Sequence, residues 1–150
     1  MDEATIWVDA TPEAVWSAVA DPTRYSQWSP ENRRGRWQGA VVPAPGAVFK
    51  GSNKRGVMRW TTTCTVLDYD APKRFSFKVA ESRMRWGYRL EPEAGGTLLT
   101  EWREHTGRLP VAMRIIIASG LLGKDREQLM IDDMRTTLER VKRAVEADRR

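Results

Sequence analysis

The sequence predicts an α+β protein in which a curved antiparallel sheet of about seven strands wraps around one long C-terminal helix, with two short helices after the first strand. Three observations carry this prediction. Two helix caps lie close together near the N-terminus, at Thr11-Pro12 and Asp21-Pro22. A long middle section alternates apolar and polar residues with a period of two, and only the last segment returns to a helical period.

Taken in order, Ile6 and Val8 alternate with Thr5, Trp7 and Asp9, the pattern of a short half-buried strand. The Thr11 hydroxyl can cap the helix that follows, and Pro12 fits its first position, where an N–H would have no partner anyway. Val15 and Val19 then stack on one face. Asp21 precedes a proline, which disfavours helical geometry at Asp21 and lets its side chain cap a second short helix beginning at Thr23-Arg24-Tyr25; Trp28-Ser29-Pro30 ends it.

The middle of the chain reads as strands. Trp60, Thr62, Cys64 and Val66 oppose Arg59, Thr61, Thr63 and Thr65. Phe75, Phe77 and Val79 oppose Arg74, Ser76 and Lys78, and Met84, Trp86, Tyr88 and Leu90 oppose Arg83, Arg85, Gly87 and Arg89. One dry face and one wet face is the signature of an antiparallel sheet covered on one side. Turn chemistry at Pro43 to Gly46, Asn53 to Gly56, Asp70 to Lys73 and Glu93 to Gly96 makes the strands a meander. Met130, Met134, Leu138, Val141 and Val145 then form one stripe of a helix about seven turns long, over Lys124 to Asp148. The apolar run Val111 to Leu122, bounded by Gly120 and Gly123, reads either as a gate or as the buried start of that helix.

Length and composition bound what the chain can be. Its 150 residues match one domain, 1–150, with no repeat or linker to divide it. The start MDEATIWVDA has acids and no apolar run, so neither a secretory signal nor a transit peptide is expected, and the expected location is cytoplasmic. The apolar run is too short to span a bilayer. One cysteine, Cys64, excludes an internal disulfide, and with the single His105 it cannot furnish the usual zinc ligand set. No glycine-rich phosphate loop, metal-ligand spacing or nucleophile elbow is present, so no cofactor is expected. The net charge of +5 is uneven: Asn32 to Leu67 contains no acid but holds Arg33, Arg34, Arg36, Lys50, Lys54, Arg55 and Arg59. This basic region is either a solvated face or a docking patch for an acidic partner such as an acyl carrier. Nucleic acid is the least favoured partner, since no RNA-binding motif accompanies the bases.

The order of elements resembles the helix-grip fold of the START-like, or SRPBCC, superfamily, which includes the birch-pollen-allergen type. The strings ATPEAVWSAVADPTRYSQWSP, FKGSNKRG, WTTTCTV, RFSFKV, YRLEPEAGGTLLTEW and TLERVK resemble its actinobacterial polyketide cyclase/dehydrase and lipid transport branch. Members often carry a cysteine after the Trp-Ser-Pro-Glu turn; this chain has Asn32, so a thiol role there is absent. The resemblance implies a cavity between sheet and C-terminal helix that holds a lipid, a polyketide or another apolar molecule. It does not by itself supply a reaction.

On that frame, the aromatic strand faces supply a ligand wall of Trp60, Thr62, Phe75, Phe77, Trp86 and Tyr88. Trp28 is expected at its edge with Glu31, Met113 and Ile117 at the gate, and Met130 and Met134 on the helix. Glu101, Arg103 and His105 share one strand face. If that face is concave, Glu101 and His105 can act as general base and acid, with Arg103 steadying an enolate oxygen. If it is convex, they are a solvated ladder. Cys64, mid-strand on the apolar side, is expected to be an inert buried thiol. Two functions follow: a carrier that sequesters a hydrophobic small molecule, or a polyketide cyclase, aromatase or dehydratase working in the same cavity without metal or nucleotide. Trp7 and the wet-face arginines leave room for a homodimer surface.

Overall fold

A computed structural model describes residues 1–39 and 42–148; Arg149 and Arg150, at the end of the expected domain, lie outside the described residues. Seven strands, β1 (Asp2–Val8), β2 (Asn32–Trp37), β3 (Val48–Arg55), β4 (Met58–Asp70), β5 (Arg74–Val79), β6 (Met84–Glu93) and β7 (Gly96–His105), form one sheet. Its order is β1-β7-β6-β5-β4-β3-β2, with every neighbouring pair antiparallel. The meander therefore runs from β2 to β7, and β1 returns to lie beside β7. Among the described residues, three α-helices complete the fold: α1 (Pro12–Val19), α2 (Val111–Ala118) and α3 (Arg126–Ala147), with a 3-10 helix at Pro22–Gln27.

The caps act as the sequence predicts. Thr11 Oγ1 accepts from the Ala14 N–H at 3.2 Å, and Asp21 accepts from the Thr23 N–H at 3.0 Å. The second capped segment winds as a 3-10 rather than an α-helix. Its Tyr25 is buried, and the Tyr25 hydroxyl donates to the Val19 carbonyl at 2.5 Å, tying this turn to the end of α1. Val15, Ala18 and Val19 of α1 share one core with Leu138, Val141 and Val145 of α3 and with Val66, Phe75, Leu90 and Leu99 of the sheet. Each such aliphatic side chain contributes roughly 1.5–3 kcal/mol by leaving water.

Three expectations need correction. The Asn53–Gly56 turn is tighter than the sequence suggests: Asn53 stays in the ladder opposite Trp60, and the reversal falls at Gly56, whose φ of +59° favours glycine. Helix α3 starts at Arg126 rather than Lys124, with Asp125 as its cap. The run from Val111 is a separate helix, because Gly120 (φ +79°) and Gly123 (φ +100°) break it from α3. It is thus not the buried start of the last helix.

Candidate functional site: a cavity between sheet and helix

The curvature of the sheet leaves a cavity of about 210 Å³ beneath α3. Phe49, Trp60, Thr62, Phe77, Trp86 and Tyr88 line it from the strands, and Met130, Asp133, Met134 and Thr137 from α3; Leu109 and Ile117 line it from the segment that includes α2. These positions follow from the period of each element, since alternate strand residues turn to one face and α3 presents one stripe. The rings interlock edge to face, with centroids 5.0 Å apart for Phe49 and Phe77 and 6.3 Å for Tyr25 and Phe49.

The phase of β7 is unambiguous. Glu101, Arg103 and His105 belong to the cavity side, whereas Trp102 lies on the other face, its ring covering Gly87 so closely that a Cβ there would meet it at 2.4 Å. Glu101 is 5% exposed and receives a hydrogen bond from the Tyr88 hydroxyl. Burial pushes its carboxyl up to about 8, with the nearby Asp133 charge acting in the same direction and the Tyr88 hydrogen bond opposing them. Arg103, two residues along, does not neutralise it: its guanidinium binds Asp2 at 3.0 Å and also Glu127. Glu101 is therefore a protonated acid at neutral pH, able to donate.

His105 stands apart from Glu101. It ends β7, is half-exposed, and its Nε2 lies 3.8 Å from Glu127. Four residues of strand separate the two by roughly 13 Å, too far for both to act on one bond. Cys64 lies in the wall with its thiol pushed up to about 12 by burial, as expected of an inert thiol.

Three expected ligand-binding residues, Phe75 in the wall, Trp28 at its edge and Met113 at the gate, lie outside the cavity lining. Trp28 is 1% exposed in the core, with the Arg24 guanidinium 5.0 Å above its ring. Phe75 packs behind the cavity against Trp16 and Tyr69, because α1 covers that part of the sheet. Met113 is half-buried on α2 and does not reach the wall, which Ile117 reaches one turn later.

The sequence places Glu31 at the cavity mouth, where the structure has it, but does not show its partners Arg55, Arg126 and Asp133. Glu31 accepts from Arg126 at 2.5 and 2.9 Å and from Arg55 at 2.8 Å, and Arg55 also binds Asp133. Burial raises the Asp133 pKa, Arg55 opposes that shift, and Glu31 adds to it. Asn53 donates to Thr62 Oγ1 at 3.3 Å and accepts from Asn32 at 3.3 Å, forming a polar strip on the β2 to β4 wall. The available signal was spacing: Arg126, Asp133 and Thr137 fall four before, three after and seven after Met130, on the same helix face. Among the described residues, no group of His, Cys, Asp and Glu side chains could hold a metal ion.

A curved antiparallel sheet gripping a long helix, with a partly open, aromatic-walled cavity between them, defines the helix-grip fold. The profile of the family described as polyketide cyclase / dehydrase and lipid transport matches residues 3–146, and the chain belongs to that family. No curated protein matches it. Among solved structures it is similar to a Polyketide_cyc-like protein of Corynebacterium glutamicum, with 27% identity over 98% of this chain and 91% of that one, at a TM-score of 0.62. The di-domain ARO/CYC StfQ of the steffimycin biosynthetic pathway matches at TM-score 0.72 and 13% identity, covering 99% of this chain and 46% of that one. The Aha1 dimer of Colwellia psychrerythraea matches at TM-score 0.62 and 15% identity, over 96% and 94%. Among the described residues no helix is long and apolar enough to cross a membrane.

Proposed function

We propose that the protein binds a small, mostly apolar molecule such as a lipid or polyketide in the cavity and carries or sequesters it. The observation that carries this reading is a protonated Glu101 beside the aromatic wall: it offers a buried hydrogen-bond donor in a pocket whose polar strip (Asn53, Thr62) and charged rim (Glu31, Arg126) are already hydrogen-bonded among themselves, the usual design of a site that orients a mostly apolar ligand by a few placed polar atoms. A ligand carbonyl or ether oxygen is the acceptor that fits. Native mass spectrometry of the purified protein, with extraction of whatever is bound, tests the reading. A stoichiometric apolar guest is expected. An empty protein that also fails to take up N-phenyl-1-naphthylamine saturably would overturn it.

A second reading, a cyclase, aromatase or dehydratase, is favoured by the same residue. A carboxyl that titrates near 8 is matched to proton transfer at neutral pH, and the cavity would fold a reactive chain into a near-attack shape. Here Glu101 is the acid–base group and Arg103 and His105 serve the rim. Glu101→Gln separates the readings: a carrier keeps its guest, bound more weakly, whereas an enzyme keeps the guest and ceases to convert it.

A further inference from the structure

Helix α2 is apolar on every side. Of its residues VAMRIIIA only Arg114 is polar, and none is buried. A helix of that composition ordinarily lies inside a core or a bilayer. Here Ile117 turns to the cavity wall, with Met113 and Ile116 half-covered, while Val111 and Ile115 stand 61% and 64% exposed. Those two are one turn apart on one face, so the outward side is a strip rather than scattered residues. Leu121, just beyond the helix, is 47% exposed.

The charges around this strip have one sign. From Gly107 to Lys124 the bases are Arg108, Arg114 and Lys124, all exposed, and there is no acid. The nearest acids are engaged: Glu104 with Arg85, Asp125 with the start of α3, and Glu127 with Arg103. The antiparallel registers bring the β3–β4 hairpin out at the same end of the sheet as the end of β7. That hairpin adds Val57, 84% exposed, next to the exposed Arg59 beyond Met58.

We propose that α2 docks the protein on an anionic lipid bilayer, with the Val111–Ile115 strip in the interface and Arg108, Arg114 and Lys124 among the headgroups. The charge pattern selects this occupant. A second copy meeting this one through α2 would set the same three bases against each other, whereas an anionic bilayer supplies both an apolar interior and the opposite charge. Because Ile117 on the inner side of α2 lines the cavity, docking brings the cavity's closing helix against the source of an apolar guest. The inference goes beyond the carrier reading and does not require it.

Cosedimentation of the full chain with vesicles of phosphatidylcholine, alone and with phosphatidylglycerol added, tests it. Binding is expected only to the phosphatidylglycerol vesicles, weakening as salt is raised. The double variant V111E/I115E, at exposed positions outside the cavity wall, is expected to lower the partition coefficient by roughly tenfold or more, and R114E/K124E to lower it as well. Saturable uptake of N-phenyl-1-naphthylamine in V111E/I115E is expected to match the wild type, which keeps the docking test separate from the ligand test. The proposal is overturned by absence of binding to anionic vesicles, by equal binding of V111E/I115E and wild type, or by a self-association that V111E/I115E abolishes.

Discussion

Glu101 is a buried carboxyl whose removal from water is offset by little more than a tyrosine hydroxyl. Its pKa is raised from an ordinary 4.5 to about 8, so between these values the folded state holds a proton that the unfolded chain has released. Stability contributed by the protonated form is full below about pH 4.5 and is lost as pH rises through about 8. The loss is on the order of several kcal/mol. Thermal unfolding of wild type and Glu101→Gln across that window should show the wild type losing stability toward pH 8 and the variant losing much less. Parallel curves would mean that Glu101 is solvated and ionised in the folded protein. The alternation that puts Glu101, Arg103 and His105 on one face was legible in the sequence. Their distinct states were not, because Arg103 is claimed by Asp2 and Glu127, partners 101 and 24 residues away.

The first turn of α3 fastens the helix to both flanks of the sheet through adjacent residues. Arg126 reaches Glu31 beside β2, and Glu127 reaches Arg103 on β7. Glu31 and Arg126 are each 12% exposed, and Arg55 joins them, so this cluster is partly desolvated and screened less than a surface pair. Removing the shared acid strips Arg126 of its carboxylate partner and leaves Arg55 with Asp133 alone, whereas removing Arg126 leaves Glu31 with Arg55. Glu31→Gln is therefore expected to cost about 2 kcal/mol or more in urea unfolding, and Arg126→Met less. Their double-mutant cycle should show a coupling of about 1 kcal/mol or more. A coupling near zero would reduce the cluster to a solvated rim. The apolar stripe of α3 was readable because it repeats every three or four residues. This polar face was not, because its partners Glu31 and Arg55 sit on distant segments and reveal no period.

At the scale of the whole molecule, the basic stretch from Asn32 to Leu67 divides into parts with separate duties. Arg55 turns into the rim cluster, while Arg33, Arg34 and Arg36 stand exposed on β2, which the sheet order makes an edge. The sequence displayed the charge but not this division, since a stretch that is basic throughout carries no mark of which strand ends the sheet. An exposed edge offers unpaired N–H and C=O groups to another chain, and like charges along it oppose such pairing. The register shift between Asn32 and Arg34 works in the same direction by twisting the strand. Replacing Arg33, Arg34 and Arg36 together by threonine keeps strand propensity, lowers the net charge of +5 by three and leaves the edge uncharged. Light scattering against concentration should then show the triple variant associating at concentrations where the wild type does not change, with little difference in thermal stability between the two. If instead the variant scatters like the wild type, the register shift and the 3-10 helix packed over Gly35, where a Cβ would lie 2.0 Å from the Pro22 carbonyl oxygen, close the edge without charge. The arginines would then be free to serve an acidic partner.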